Sequence, residues 1–241
     1  MSNLDHVSKF CDVFTHSIDV VDLNAGVVLL KLEFTHQGIH KIIKGFEKTF
    51  ATNHLGHFLL SEKLLKKSKV SRVIVVSSGT HDPASRSGVA HPVFNLEHWA
   101  FPMKFTDSVY SSSKLANMLF GMNLADRNPN LIFLMYDPGF IGDTGLLGFL
   151  GIIQPNVKLF IDLKLWVTSW WYGVRNQTSS LARSIPFLAK MCVYDSEPFI
   201  LSRQYFSIDG TAKPSIDARD QVKQRELYDF SMKLLSDKGY L

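Results

Sequence analysis

The sequence predicts an α/β fold, a doubly wound and mainly parallel sheet with helices on both faces. Three observations predict it. Strand-like and helix-like segments alternate along the chain. Two uninterrupted apolar runs, Arg72 to Ser78 (RVIVVSS) and Leu131 to Tyr136 (LIFLMY), read as strands buried on both faces. Three predicted strands end in small or polar residues, at Asn24-Ala25-Gly26, Ser77-Ser78-Gly79 and Pro138-Gly139. In a sheet of this kind ligands bind beyond the carboxyl ends of the strands, so these ends predict one cleft. Each signal alone is also what any strand needs before a turn.

The elements follow in order. Residues 4–15 place Leu4, Val7, Phe10, Cys11 and Phe14 on one helical face. Ile18 to Leu23 is a short strand. Residues 45–67 read as one long helix, with Phe46, Phe50, Leu55, Leu59 and Leu60 recurring at helical intervals. After the strand at 72–78, residues 108–127 read as helix. Asp137-Pro138-Gly139 stops the strand at 131–136. Residues 179–193 are helical, Gln204 to Ile208 a strand, and 217–236 an amphipathic helix. No internal repeat or low-complexity linker divides the chain, which predicts one domain over residues 1–241.

Composition narrows the function classes. The chain has 241 residues, 46% hydrophobic and 20% charged, with 18 Phe and 4 Trp. That excludes an intrinsically disordered chain. Two cysteines, Cys11 and Cys192, cannot staple a chain this long, and they read as free thiols of a reducing, cytoplasmic compartment. The net charge of +4 is weakly basic. The densest cationic patch, Lys63, Lys66, Lys67, Lys69 and Arg72, reads as a solvated helix end and not as a nucleic-acid footprint. No apolar run reaches the roughly 18 residues of a spanning helix. Leu146–Ile153 with Trp166, Trp170 and Trp171 leaves peripheral membrane association open, with lid and core packing the preferred reading because Lys158, Asp162 and Lys164 interrupt the segment. The nine histidines all lie at or before His98. Neither His36/His40 nor His54/His57 gains the further ligands of a zinc site, so no metal is expected.

Chemistry concentrates at Tyr110-Ser111-Ser112-Ser113-Lys114. Positions four apart share a helix face. An ammonium beside a phenol lowers the Tyr pKa, and a Tyr so tuned can exchange a proton with a carbonyl or alcohol oxygen. The pattern alone also describes a surface Lys beside a half-buried Tyr. Asn53, in Asn53-His54-Leu55-Gly56, is either part of this site or a helix residue bonded only to backbone.

Taken in order, these segments resemble the short-chain dehydrogenase/reductase family. The most specific stretches are FATNHLGHFLL (50–60), VIVVSSGTHDP (73–83), YSSSKLANMLF (110–120) and YDPGFIGDTGL (136–146). They resemble the branch that holds protochlorophyllide reductases, retinol dehydrogenases and WW-domain oxidoreductases. The resemblance implies a Rossmann-type fold and hydride transfer between NAD(P) and a small carbonyl or alcohol, with NADP preferred. It implies Tyr110 as general acid/base, Lys114 as its pKa modifier and ribose ligand, and Ser78 as hydrogen-bond partner of the substrate oxygen. Asn53 would anchor a proton-relay water. Asn24, Ala25 and Gly26 would shape the cofactor wall, and Pro138, Gly139 and Thr144 would meet the nicotinamide.

One departure stands out. The family opens on a strand and a glycine-rich turn that brings pyrophosphate to a helix N-terminus. The first glycine here is Gly26. The expectation is a domain truncated at its N-terminus, lacking a first βαβ unit of on the order of 60 residues. With it goes weak NAD(P) binding and an apolar sheet edge at Ile18–Leu23. A different class of function fits that expectation too, an inactive remnant that binds a partner, such as a homologous chain, through the open edge.

Overall fold

The computed structural model describes residues 1–29, 33–35, 45–85, 90–101, 108–141 and 178–241. Leu146–Ile153, the tryptophan cluster, His36, His40 and Thr144 lie outside them.

Helix α1 (Leu4–Val13) starts where the Asn3 side chain accepts a hydrogen bond from the His6 amide at 3.1 Å. It buries Leu4, Val7 and Cys11, but Phe10, placed on this face by its spacing, is 47% exposed. Strand β1 (Val20–Leu23) follows. The predicted helix over 45–67 is three pieces: α2 (Lys48–Phe50), a π turn over Ala51–Leu55, and α3 (Gly56–Lys67). The buried Glu47 carboxylate opens the run by accepting from the Thr49 and Phe50 amides at 2.9 and 2.6 Å. Strand β2 (Arg72–Val76) stops short of the serine pair.

A short helix α4 (Leu96–Ala100), capped by Asn95, precedes the central helix α5 (Val109–Arg127). Strands β3 (Ile132–Asp137) and β4 (Phe140–Ile141) come next, then β5 (Thr178–Ser179) and helix α6 (Leu181–Val193). Strands β6 (Gln204–Ser207) and β7 (Gly210–Ala212) are followed by α7 (Ile216–Arg219) and α8 (Gln221–Ser236). Asp220 divides the predicted 217–236 helix, because its side chain turns to cap α8 through the amides of Val222 and Lys223.

The main sheet runs β1-β2-β3-β6-β7, parallel except for β7. β4 and β5 pair separately. Alternation along β2 and β3 divides the core. Val73, Val75, Phe133 and Met135 face the larger cluster, which gathers residues of α1, α3, α5 and α8. Ile74, Val76, Leu134 and Tyr136 face a smaller one with Met191 and Phe206. Gly121 permits close approach of α5 to the sheet: a Cβ there would lie 3.0 Å from Met135 and 3.3 Å from Val75. Among the described residues β1 is the outer strand. It is only four residues long and exposes Asp22, so this edge is less apolar than the sequence suggests.

The cationic patch is in part the expected solvated helix end, with Lys66 and Lys67 in the last turn of α3 and, like Lys69, exposed, and in part structural. Lys63 donates to Ser8 and Asp12, and Lys67 to the Cys11 carbonyl, which ties α3 to α1. Arg72 is buried, with its guanidinium on the Met191 carbonyl and Asp195.

Candidate active site

β1, β2 and β3 are parallel and in register, so their carboxyl ends open on the same edge. There Asn24, Ala25, Gly26, Ser77, Ser78, Pro138 and Gly139 line a cleft of about 370 Å³ with Tyr110 and Lys114. The structure thus gathers nearly all of the residues singled out by sequence. α6 supplies the facing wall through Leu181, Ser184, Ile185 and Leu188, which the sequence did not point to.

The two serines after β2 differ. Ser77 is buried and donates to the Lys114 carbonyl at 2.8 Å, which joins the strand end to α5. Ser78 is half-buried and lines the cleft with Tyr110, its hydroxyl accepting from the Thr80 amide at 3.3 Å. Its carbonyl meets His81 Nδ1 at 2.7 Å, while His81 Nε2 accepts from the Ser215 amide at 3.3 Å. That pair of contacts sets a neutral His81 with its proton on Nδ1.

The three serines between Tyr110 and Lys114 hold the helix in place. Ser111 donates to the Ala90 carbonyl, Ser112 accepts from the Val93 amide, and Ser113 donates to the Tyr110 carbonyl. Ser113 also accepts from Asn53 Nδ2 at 2.9 Å. Asn53 is fully buried and bonds both main-chain groups of Val27. Its side chain therefore fixes the segment after Gly26, and its own carbonyl meets His57 Nδ1 at 3.0 Å.

Lys114 is buried with its Nζ 3.3 Å from the Val76 carbonyl and 5.7 Å from the centre of the Tyr110 ring. Burial pulls its pKa down to about 8, with Asp137 acting in the opposite direction. Desolvation pushes Tyr110 up to about 12, with the nearby Ser78 side chain acting in the opposite direction. The expected lowering of this phenol by the ammonium is overridden, since burial is the dominant influence and Lys114 turns to a carbonyl.

The cleft floor beside Gly26 is polar. A Cβ on Gly26 would project between Asn53 Oδ1 at 3.5 Å and Lys114 Nζ at 3.6 Å, so the glycine keeps this polar floor open. Among the described residues no group of three His, Cys, Asp or Glu could hold a metal ion. No helix among them is long and apolar enough to cross a membrane.

No family profile matches the chain. Curated proteins do. It is 33% identical over 240 residues to human retinol dehydrogenase 14, covering 96% of this chain and 63% of that one. It is 27% identical over 254 residues to the chloroplastic short-chain dehydrogenase TIC 32 A of Brassica napus, covering 98% and 70%. A crystal structure of an uncharacterized Mycobacterium paratuberculosis protein superposes with a TM-score of 0.65 at 25% identity, covering 98% of this chain and 73% of that one. Over nearly its whole length the chain is thus similar to short-chain dehydrogenases/reductases.

Short-chain dehydrogenases/reductases are NAD(P)-dependent oxidoreductases of small molecules, and the fold of this chain is of their α/β class. The chain spans 63% of the length of some of these relatives and 70% of others. A short-chain dehydrogenase/reductase from Brucella melitensis shares the fold at a TM-score of 0.52 and 16% identity. One polar residue of this site escaped the sequence reading. Asp137 reads there only as a turn-former before Pro138, yet its carboxylate reaches Gly79 across the strand ends.

Proposed function

We propose that this chain reduces a carbonyl compound, with Tyr110 as the proton donor. The observation that carries the reading is the meeting of Tyr110, Lys114 and Ser78 in one cleft at the carboxyl ends of β1, β2 and β3, where burial favours the protonated phenol, the form that donates to an alkoxide. Ser78, which lines the cleft with the same phenol, would share the substrate oxygen. Lys114 would keep positive charge at the cleft floor and hold the ribose. Asn53 would act through Val27 and Ser113, keeping the Asn24–Gly26 wall and the start of α5 in place. Asn24, Ala25, Gly26, Pro138 and Gly139 would bound the nicotinamide half of the dinucleotide, and Thr144 is carried in this proposal from the resemblance alone. When bound, the dinucleotide supplies the hydride.

NADP is preferred, from the resemblance to the protochlorophyllide and retinol branch. The described cleft offers its contacts mainly to the nicotinamide half, so affinity for the whole dinucleotide is expected to be weak. The strand ends of the site sit on one sheet, which supports reading residues 1–241 as one domain.

The test is NADPH consumption with a panel of aldehydes and ketones. Turnover by the wild type that Tyr110→Phe lowers by about 10²–10⁴-fold supports the reading. Turnover with no carbonyl, or full activity in Tyr110→Phe, overturns it. Titration calorimetry with NADPH reads the affinity separately.

A further inference from the structure

We infer that His81 is a positioning residue, its ring tying the Ser78 carbonyl to the Ser215 amide at the start of α7, so that the C-terminal segment holds the cleft serine in place. The inference rests on the role proposed above for Ser78.

The geometry is specific. Ser78 is extended and opens a single turn over Gly79–His81. Its carbonyl accepts twice from His81, from the main-chain amide at 3.0 Å and from ring Nδ1 at 2.7 Å. Its hydroxyl accepts from the Thr80 amide at 3.3 Å. These contacts all lie within the turn and fix only its internal shape. The other side of the ring reaches far along the chain. Nε2 accepts from the Ser215 amide at 3.3 Å. The ring also meets Tyr205 of β6 edge to face, with centroids 5.2 Å apart. His81 is 1% exposed, so a buried ring bonded at both nitrogens and packed on an aromatic has one orientation open to it.

A neutral imidazole suits this task. A carbonyl can only accept and an amide can only donate, and the ring carries one donor and one acceptor on opposite sides of a rigid frame. Burial favours the neutral form, with the Ser78 hydrogen bond, Asp82 of the same turn and Asp137 of β3 acting in the opposite direction. Ser215 is itself held, because its hydroxyl caps α7 through the Ala218 amide at 3.1 Å. The Ala218 carbonyl then accepts from Gln224 of α8 at 2.8 Å. Leu227 and Leu235 anchor α8 in the larger core. Ser77 and Ser78 are thus secured to different elements, Ser77 to α5 through the Lys114 carbonyl and Ser78 to α7 and α8 through His81.

The tie can be cut at its far end, away from the cleft. Ser215 has φ of −56°, which proline adopts without strain. Ser215→Pro and Ser215→Ala both lose the hydroxyl that caps α7, and only the proline loses the N–H that meets His81. Relative to Ser215→Ala, Ser215→Pro is expected to exchange the Thr80 amide about tenfold faster, the equivalent of one lost hydrogen bond. Its kcat for carbonyl reduction is expected to be about tenfold lower at an equal KM for NADPH, the scale of a small misplacement of a positioned group. A merely structural contact would lower the unfolding midpoint and leave kcat alone, and that result overturns the positioning role. Equal Thr80 exchange in the two variants overturns the tie. Should Ser215→Pro fail to fold, His81→Gln takes its place, since it keeps an acceptor toward Ser215 and loses the donor to Ser78; the same acceleration at Thr80 is expected against wild type, and its absence overturns the tie. In the wild-type protein at neutral pH, ¹⁵N spectra of the His81 ring are expected to show a protonated Nδ1 and a bare Nε2. A proton on Nε2 overturns the proposal outright. Lack of carbonyl turnover in the wild type would remove the proposed reaction but leave the Thr80 exchange and the ring spectrum to decide the tie.

Discussion

Asn53 holds the backbone of Val27 as a neighbouring strand would. Its Oδ1 accepts from the Val27 amide at 2.8 Å and its Nδ2 donates to the Val27 carbonyl at 3.0 Å. The side chain that makes this bridge is fully buried and also reaches Ser113. It therefore couples the Asn24–Gly26 wall to the helix that carries Tyr110.

Asn53→Ala is expected to lose more than contacts. It leaves the Val27 main chain without its partners, at about 1–3 kcal/mol for each buried group left unpaired. Asn53→Asp keeps the acceptor and loses the donor, so it should fall between Ala and wild type when Asp is ionised. Urea midpoints rank the three proteins, and faster exchange of the Val27 amide in both variants localises the effect. Equal midpoints for all three would show that the bridge contributes nothing.

His54 and His57 make folding acid-sensitive. Both lie buried in the π turn and α3, and desolvation lowers each pKa to about 3 from an ordinary 6.5. The unfolded chain then binds more protons than the folded one between these values, so stability falls as pH drops through this window. Above 6.5 their contribution is fully present. The urea midpoint is expected to decline steadily from pH 6.5 toward 4. A His54→Gln/His57→Gln protein should have a flatter profile over that range, even if it is less stable at neutral pH. A slope equal to that of the wild type would assign the acid sensitivity to other groups.

The parts of this fold that were legible in the sequence are those set by local pattern. The five residues of β2 are all buried, and an uninterrupted β-branched run is what such a strand requires. The face of α1 was legible at Leu4, Val7 and Cys11 but not at Phe10, because periodicity shows which side a residue is on and not where the neighbouring elements end. The π turn at Ala51–Leu55 left no trace in the sequence. Its residues have the spacing of an ordinary helix, and its buried side chains are held by distant groups, Asn53 by Val27 and His54 by Ser231. Tyr110, Lys114 and Ser78 could be picked out because each is a chemically distinctive residue at a strand end or at helical spacing. Asp137 could not, since an Asp before Pro-Gly is an ordinary turn sequence and its neighbour Gly79 is distant in the chain.

Lys114 trades stability for charge. Its ammonium is buried, with the Val76 carbonyl as its hydrogen-bond acceptor. Lys114→Met, of similar length and without charge, is expected to raise stability by about 1–3 kcal/mol at neutral pH while turnover is lost. The folded pKa of about 8 lies below the ordinary 10.5, so the penalty is present below pH 8 and relieved as pH rises toward 10.5. The stability difference between wild type and variant should therefore shrink over that interval. Carbonyl reduction by the wild type should decline as pH rises through about 8, where Lys114 loses its proton. A variant no more stable than wild type at pH 7 would mean that the charge is solvated in solution.

Ser77 and Ser78 are adjacent in sequence and separable in effect. Ser77 is buried, and its hydroxyl joins the end of β2 to α5 at Lys114. Ser77→Ala leaves the Lys114 carbonyl without that donor, so a stability loss of about 1 kcal/mol is expected. Ser78 lines the cleft with Tyr110, and its hydroxyl accepts from the Thr80 amide at 3.3 Å. Ser78→Ala should therefore cost little stability and depress carbonyl turnover by about 10²-fold, the magnitude of losing one preorganised hydrogen bond to a developing oxyanion. Thermal unfolding and NADPH consumption, measured on both single variants, make the comparison. If Ser77→Ala loses turnover at full stability while Ser78→Ala keeps it, the roles of the two serines are exchanged and Ser78 is not the substrate-facing hydroxyl.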